Sequence, residues 1–180
     1  MDALLKVING EIPIKAHAHR ADDIFTAIRI AKEFGLKMTL DHCTDGHLIV
    51  KHLAKEGYPA IVGPSLSERS KYELKNLTFD TPGILSKAGI KVAIMTDHPV
   101  IPIQYLPLSA SLAVKAGMEE EEAMKAITIN PAQILEIDDR VGSIKAGKDA
   151  DIVIWDKHPF DIQSKVLYTI INGQIVYKRN

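Results

Sequence analysis

The sequence predicts an α/β protein: about four consecutive βα units building a parallel sheet, followed by a short all-β tail. Three observations carry this. Between residues 12 and 95, short apolar runs alternate with helix-length amphipathic stretches, joined by the short connections of βαβ units. The runs are apolar throughout, as expected of strands covered on both faces. From Ile137 the texture changes to β-branched runs flanking Asn172-Gly173, the strongest short hairpin signal in the chain. The division therefore falls at 1–136 for the α/β part and 137–180 for the tail.

Residues 3–8 read as the tail of a helix that Asn9-Gly10 stops. Ile12 to His17 reads as a buried strand. From Asp22 to Phe34, apolar residues at Ile24, Ala27, Ile28, Ala31 and Phe34 have helical spacing, and Gly35 sits where a terminating glycine belongs. A second strand, Leu36 to Leu40, ends at Asp41-His42. Asp45 is placed to cap a helix running through Leu48, Val50 and Leu53 to Gly57. Ala60 to Gly63 is a third strand, followed by a polar loop from Pro64 to Asp80. Thr81-Pro82 reads as an N-cap with proline at the first helical position, and that helix ends at Gly89. Ile90 to Met95 is the fourth strand, ending at Thr96-Asp97-His98-Pro99. Helical patterns resume from Pro107 to Gly117 and from Glu119 to Ile129; the acidic run Glu119 to Glu122 suits a solvated helix start. In the tail, Ile152 to Trp155, Val166 to Ile171 and Gln174 to Tyr177 read as strands.

Composition narrows the function. The 180 residues are 46% hydrophobic and 25% charged, enough for one domain with a real core plus a small appendage. With 22 basic against 23 acidic residues, the net charge of -1 gives no electrostatic argument for a nucleic-acid or membrane-surface partner. No apolar run approaches the roughly 18 residues of a membrane span. The first residues lack a basic region followed by an apolar core, so no signal peptide is expected. A single cysteine, Cys43, forms no internal disulfide, and a cytoplasmic protein with one reduced thiol is the expectation.

The chemistry sits at the strand ends. His17 and His19 close the first strand and, being two apart, share a face. His42 closes the second, and Asp97 and His98 close the fourth. In a parallel sheet these carboxyl ends lie on one side, where barrels and open α/β sheets keep their active sites. Imidazole nitrogens with a carboxylate oxygen suit Zn²⁺ or a similar cation. One such histidine alone would more often be structural; the set at equivalent positions favours ligation of a divalent metal.

Other candidates carry less. His47 and His52 follow His42 at five-residue steps and share no helix face; His158 reads as a surface residue. Cys43 alternates away from His42 and reads as a small core residue. Gly142 to Lys148 has the glycine spacing of a phosphate loop, but Asp149 stands where Ser or Thr is required and a β tail follows, which excludes nucleotide binding. Arg69 and Lys71, after the third strand, are candidates to hold an anionic group of a small-molecule substrate, although solvated charge explains them equally well.

Taken together, Lys15 to Asp23, Leu40-Asp41-His42, Met95 to Pro99, Ala126 to Ala132, Gly142 to Asp151 and Ile171-Asn172-Gly173 resemble the amidohydrolase superfamily, specifically its imidazolonepropionase-like branch. The resemblance spans nearly the whole chain. It implies the carboxyl-terminal half of a metal-dependent (βα)8 TIM barrel, with the tail as part of a composite β-sandwich. His17 matches the metal histidine of the fifth barrel strand, His42 that of the sixth and Asp97 the aspartate of the eighth. His19 and His98 are additional to the common pattern and are expected near substrate or as alternative metal ligands. The resemblance further implies hydrolysis of a non-peptide or dipeptide-like C–N bond, with Asp97 as general base then acid and His42 binding metal or stabilising the oxyanion.

The His-x-His of the family's first strand has no counterpart here. A barrel of this kind takes roughly 250 residues, so about half of one is expected. The sheet edges are then expected to be completed by another copy, giving a homo-oligomer, or by an amino-terminal half. Two further readings compete. One is a catalytically silent half-barrel serving as a structural or interaction module. The other is a doubly wound binding protein, against which the lack of a Gly-rich phosphate turn argues.

Overall fold

The computed structural model describes residues 2–180. After a short helix α1 (Asp2–Ile8), the chain builds a four-stranded sheet in the order β1 (Ile14–Ala18), β2 (Met38–His42), β3 (Ala60–Val62), β4 (Val92–Ile94). All three pairings are parallel and in simple succession. Helices α2 (Ala21–Phe34), α3 (Val50–Glu56) and α4 (Thr81–Lys87) fill the crossovers; α5 (Leu106–Lys115), α6 (Glu120–Ala126) and α7 (Ile129–Ile134) follow β4. Four βα units in consecutive spatial order are a segment of a barrel wall, and the βα expectation holds.

Each helix forms because one stripe is apolar. In α2, Ile24, Ile28 and Ala31 are buried at helical spacing, and Gly35 at φ 63 ends the helix in the left-handed region. That stripe packs on the outward face of the strands, with Ala18, Met38, Leu40, Ala60, Val62, Leu53, Leu85 and Val92 in one cluster. A second cluster joins Ile94 to Ala110, Ala113, Met118, Ala123 and Ala126. The opposite face of the sheet is the inner one. Lys15 and His17 on β1 and Thr39 and Asp41 on β2 lie there, paired in register as Lys15 with Thr39 and His17 with Asp41.

The tail folds as a second, antiparallel sheet of β5 (Ile152–Trp155), β6 (Val166–Ile171) and β7 (Gln174–Lys178) in that order. Asn172 and Gly173 both have positive φ, at 49 and 76, as the two-residue hairpin requires. The tail meets the α/β part through Phe160, which packs on the second cluster while its carbonyl accepts from Ser111 Oγ at 3.0 Å.

Local expectations needed correction in four places. Asp45 caps no helix: a 3-10 turn over Gly46–Leu48 precedes α3, and the Asp45 carboxylate is used elsewhere. Asp80, not Thr81, precedes the first turn of α4, because Thr81 Oγ1 is engaged with His47 Nδ1 at 2.9 Å. The pattern from Glu119 to Ile129 breaks at Ile127-Thr128, where Thr128 Oγ1 bonds back to the Met124 carbonyl and α7 begins afresh. In the parallel sheet β3 and β4 are shorter than their apolar runs, and β1 and β2 are shifted toward the carboxyl end, β2 by two residues so that it includes Asp41 and His42. No helix of the described residues is long and apolar enough to cross a membrane.

Candidate metal centre

The carboxyl ends of β1 and β2 bring three histidines together. One ligand atom from each of His17, His19 and His42 lies within 4.8 Å of the others. Their ring centroids are 4.2 to 4.9 Å apart. His17 reaches the inner face by ordinary alternation along β1. His42 does not: by alternation it belongs with Met38 and Leu40, on the helix side. Its backbone enters the left-handed region at φ 69, followed by Cys43 at φ 48. That twist turns the imidazole inward and sends Cys43, fully buried, into the outer core instead. Asp97, at the end of β4, is likewise left-handed at φ 50. Such conformations persist only where the surroundings enforce them.

Hydrogen bonds fix the rings. His42 Nδ1 donates to the Gly63 carbonyl at 2.7 Å. Since a carbonyl only accepts, the proton of neutral His42 is on Nδ1, and the Nε2 lone pair points at His17 Nδ1, 2.9 Å away. His19, buried just beyond β1, sets Nδ1 2.8 Å from Thr44 Oγ1, and its Nε2 lies 3.9 Å from Glu73. Gly63 can hold its carbonyl there only as glycine: its φ is 137, and a Cβ would sit 2.2 Å from the Met95 carbonyl oxygen.

Burial favours the neutral form of two of these imidazoles, His19 and His42. Burial, then the neighbouring His42, pushes the His19 pKa down to about 4. Burial also lowers that of His42, against the hydrogen bond to Gly63 and the charge of Asp97, which favour its protonated form. Neutral imidazoles are ligand-competent, and an outer partner on the second ring nitrogen is the usual support for such a ligand. The donor set therefore fits a metal ion.

A cavity of about 500 Å3 opens above the cluster, lined by the three histidines, Asp97, Lys71, and Leu66 and Ser67 of the loop after β3. Lys71 is paired with Glu73 at 3.5 Å. Of the residues singled out from sequence, the structure thus brings together His17, His19, His42, Asp97 and Lys71. The Asp97 carboxylate stands outside the close histidine set. Two others lie apart. His98 is exposed and does not line the cavity. Arg69 donates to the Leu77 carbonyl at 2.7 Å and lines a separate cleft with His47, Lys75 and Lys87.

Sequence reasoning missed Gly63, Thr44 and Asp45. The Asp45 amide donates to the His19 carbonyl at 2.8 Å, and its carboxylate accepts from the Ala21 amide at 3.1 Å and Asn76 Nδ2 at 2.9 Å. One buried side chain thereby joins the loops after β1, β2 and β3. The available signal was a polar run, Thr44-Asp45, placed just past a strand-end histidine.

Comparison with known proteins places this site in context. The amidohydrolase family model matches residues 6–176. Among curated proteins, the chain is 26% identical over 178 residues to the amidohydrolase tasK of Hapsidospora irregularis, covering 96% of this chain and 18% of that one. It is 30% identical over 164 residues to the imidazolonepropionase of Paracidovorax citrulli, covering 87% and 36%. Among solved structures, the amidohydrolase of Thermotoga maritima superposes with a TM-score of 0.95 at 47% identity, covering 99% of this chain and 46% of that one. The chain thus spans less than half the length of these relatives, as a partial barrel does. On the match over residues 6–176, and with imidazolonepropionases among its relatives, the chain belongs to the amidohydrolase family, in its imidazolonepropionase-like branch.

Proposed function

We propose that this chain carries the metal-binding face of a cytoplasmic, metal-dependent hydrolase acting on non-peptide or dipeptide-like C–N bonds of a small-molecule substrate. The observation that supports this most is the convergence of three imidazoles at the carboxyl ends of parallel strands in an amidohydrolase chain. His17, His19 and His42 would hold the ion, and nitrogen donors favour Zn²⁺. When bound, such an ion lowers the pKa of a water toward neutrality and polarises the scissile carbon.

The remaining work falls to the chain's own groups. Asp97 takes a proton from the attacking water on its carboxylate and returns it to the leaving nitrogen. It lines the same cavity as the histidines, and its exposure gives the proton a route to solvent. Lys71, at the cavity wall, offers an ammonium to an anionic substrate group. Gly63 and Thr44 keep the His42 and His19 rings oriented by accepting or sharing their Nδ1 hydrogen bonds.

The inner face of the sheet and the free edge of β1 require covering. In this reading complementary βα units cover them, from a second copy of the chain or from an amino-terminal half. The test is metal analysis after purification with Zn²⁺, followed by turnover assays on lactams, cyclic amidines and dipeptides. About one ion per chain with chelator-sensitive turnover is expected. A chain that takes up no metal sinks the reading, and metal without turnover favours the silent module. Size-exclusion chromatography showing a well-folded monomer would refute self-association.

A further inference from the structure

The interior of a (βα)8 wall is usually packed with branched apolar side chains. Here the inner-face positions directly beneath the histidines are polar. Asp41 is 9% exposed and precedes His42 on β2. Lys15 Nζ reaches one of its oxygens at 2.9 Å from β1, and Thr39 Oγ1, itself buried, donates to the other at 2.7 Å from β2. Both carboxylate oxygens are thus held, one from each of the two strands that supply His17 and His42. The register sets Asp41 beside His17, with Lys15 and Thr39 paired one inner-face step below it.

Stability alone gives a weak reason for such a pair. Asp41 is buried but the Lys15 side chain is 53% exposed, so solvent screens their attraction and a pair of this kind contributes little to stability. What the pair does supply is position. It ties β1 to β2 one residue before the twist at His42, where the chain leaves regular strand geometry. The 2.9 Å approach of His17 to His42 spans these same two strands; the His19–Thr44 contact at 2.8 Å ties them above it, and the Lys15–Asp41 pair is the side-chain tie on its lower side.

We propose that Lys15, Thr39 and Asp41 form a positioning layer that holds the His17 and His42 imidazoles at metal-binding separation. The inference rests on the reading of the histidine cluster as a metal centre. These three residues touch neither metal nor substrate; they act through the strands and the two histidines.

The test uses the full chain with Asp41→Asn, Lys15→Met and the double variant Lys15→Met/Asp41→Leu, which replaces the ion pair by apolar packing. Three quantities are read: Co²⁺ affinity by titration of its visible bands, the ring nitrogen shifts of His17 and His42 by NMR without metal, and the melting temperature. The expected result is Co²⁺ binding 10- to 100-fold weaker in all three, the range seen when outer partners of metal ligands are removed. Ring shifts should move for both histidines, and the double variant should regain the wild-type melting temperature without regaining affinity. If the double variant regains affinity along with stability, or if the single variants keep wild-type affinity and ring shifts, the positioning layer is refuted. Should Asp41→Asn fail to fold, the double variant decides. A wild-type chain that takes no Co²⁺ refutes the metal reading instead, and the ring shifts then decide the layer by themselves.

Discussion

Replacing Gly63 by alanine tests whether the backbone of one strand end controls the histidine cluster. Two costs can be read from the structure. An L-residue at φ 137 is strained, and a conformation of this kind costs about 1–3 kcal/mol. The added Cβ would also lie 2.2 Å from the Met95 carbonyl oxygen, so the ends of β3 and β4 must separate by about 1 Å to restore van der Waals contact. That movement carries the Gly63 carbonyl away from His42 Nδ1, now at 2.7 Å, with a loss of about 1 kcal/mol of hydrogen bonding. The sum is roughly 2–4 kcal/mol, which for a chain of this size lowers the melting temperature by roughly 5–15 °C. Because His42 loses its orienting partner, metal affinity should fall about 10- to 100-fold as well. Gly57→Ala is the control: φ is 74, nothing lies within 4 Å of its Cβ, and α3 ends far from the cluster. It should cost about 1 kcal/mol and leave metal binding intact. Calorimetry and metal titration on the two variants decide the matter. If Gly63→Ala melts within about 2 °C of wild type and binds metal normally, the argument from the strand end is wrong.

Three more outcomes follow from the site. Alanine at His17, His19 or His42 should abolish stoichiometric metal uptake, whereas Asp97→Asn should keep the metal and lose turnover by at least about 100-fold, measured by metal analysis beside activity. The His19 pKa is about 4 when folded and 6.5 when not, so the unfolded chain binds this proton first. Stability from this group is therefore full above about pH 6.5 and lost as pH falls toward 4, by at most about 3 kcal/mol; urea melts across that range should show the loss, and His19→Phe should flatten it. Burial pushes the Cys43 thiol up to about 12, so a disulfide reagent at pH 8 should leave it unmodified until the protein is denatured; rapid modification of the native chain would contradict its place in the core.

The βα alternation, the Gly35 stop and the Asn172-Gly173 hairpin were legible because each rests on local physics: periodicity, a left-handed terminus, a two-residue turn. The strand-end positions of His17, His42 and Asp97 were legible for the same reason. What sequence could not yield was direction. A period of two assigns His42 to the helix side with Leu40, and only the left-handed twist reverses it. Asp45 looks like a helix cap from its neighbours, yet its partners Ala21 and Asn76 are 24 and 31 residues away. Arg69 lies two residues from Lys71 in the chain, but its bond to the Leu77 carbonyl turns it to another cleft. Thr39 falls inside a strand read as apolar and Asp41 just past its end; their role appears only when Lys15 is set beside them by the parallel register.

Asp45 has a consequence for motion. Its amide and carboxylate hold the segment after β1, the turn after β2 and the loop after β3 to one point. The third of these segments walls the cavity with Leu66, Ser67 and Lys71. The loop cannot swing outward without parting Asn76 from Asp45, and a displaced Asp45 pulls on the His19 carbonyl and on the first turn of α2. Opening of the mouth is therefore a concerted event. Amides at Ala21 and Asp45 should exchange with solvent at a common rate, and a ligand that presses on the loop is felt at His19 through a single carboxylate.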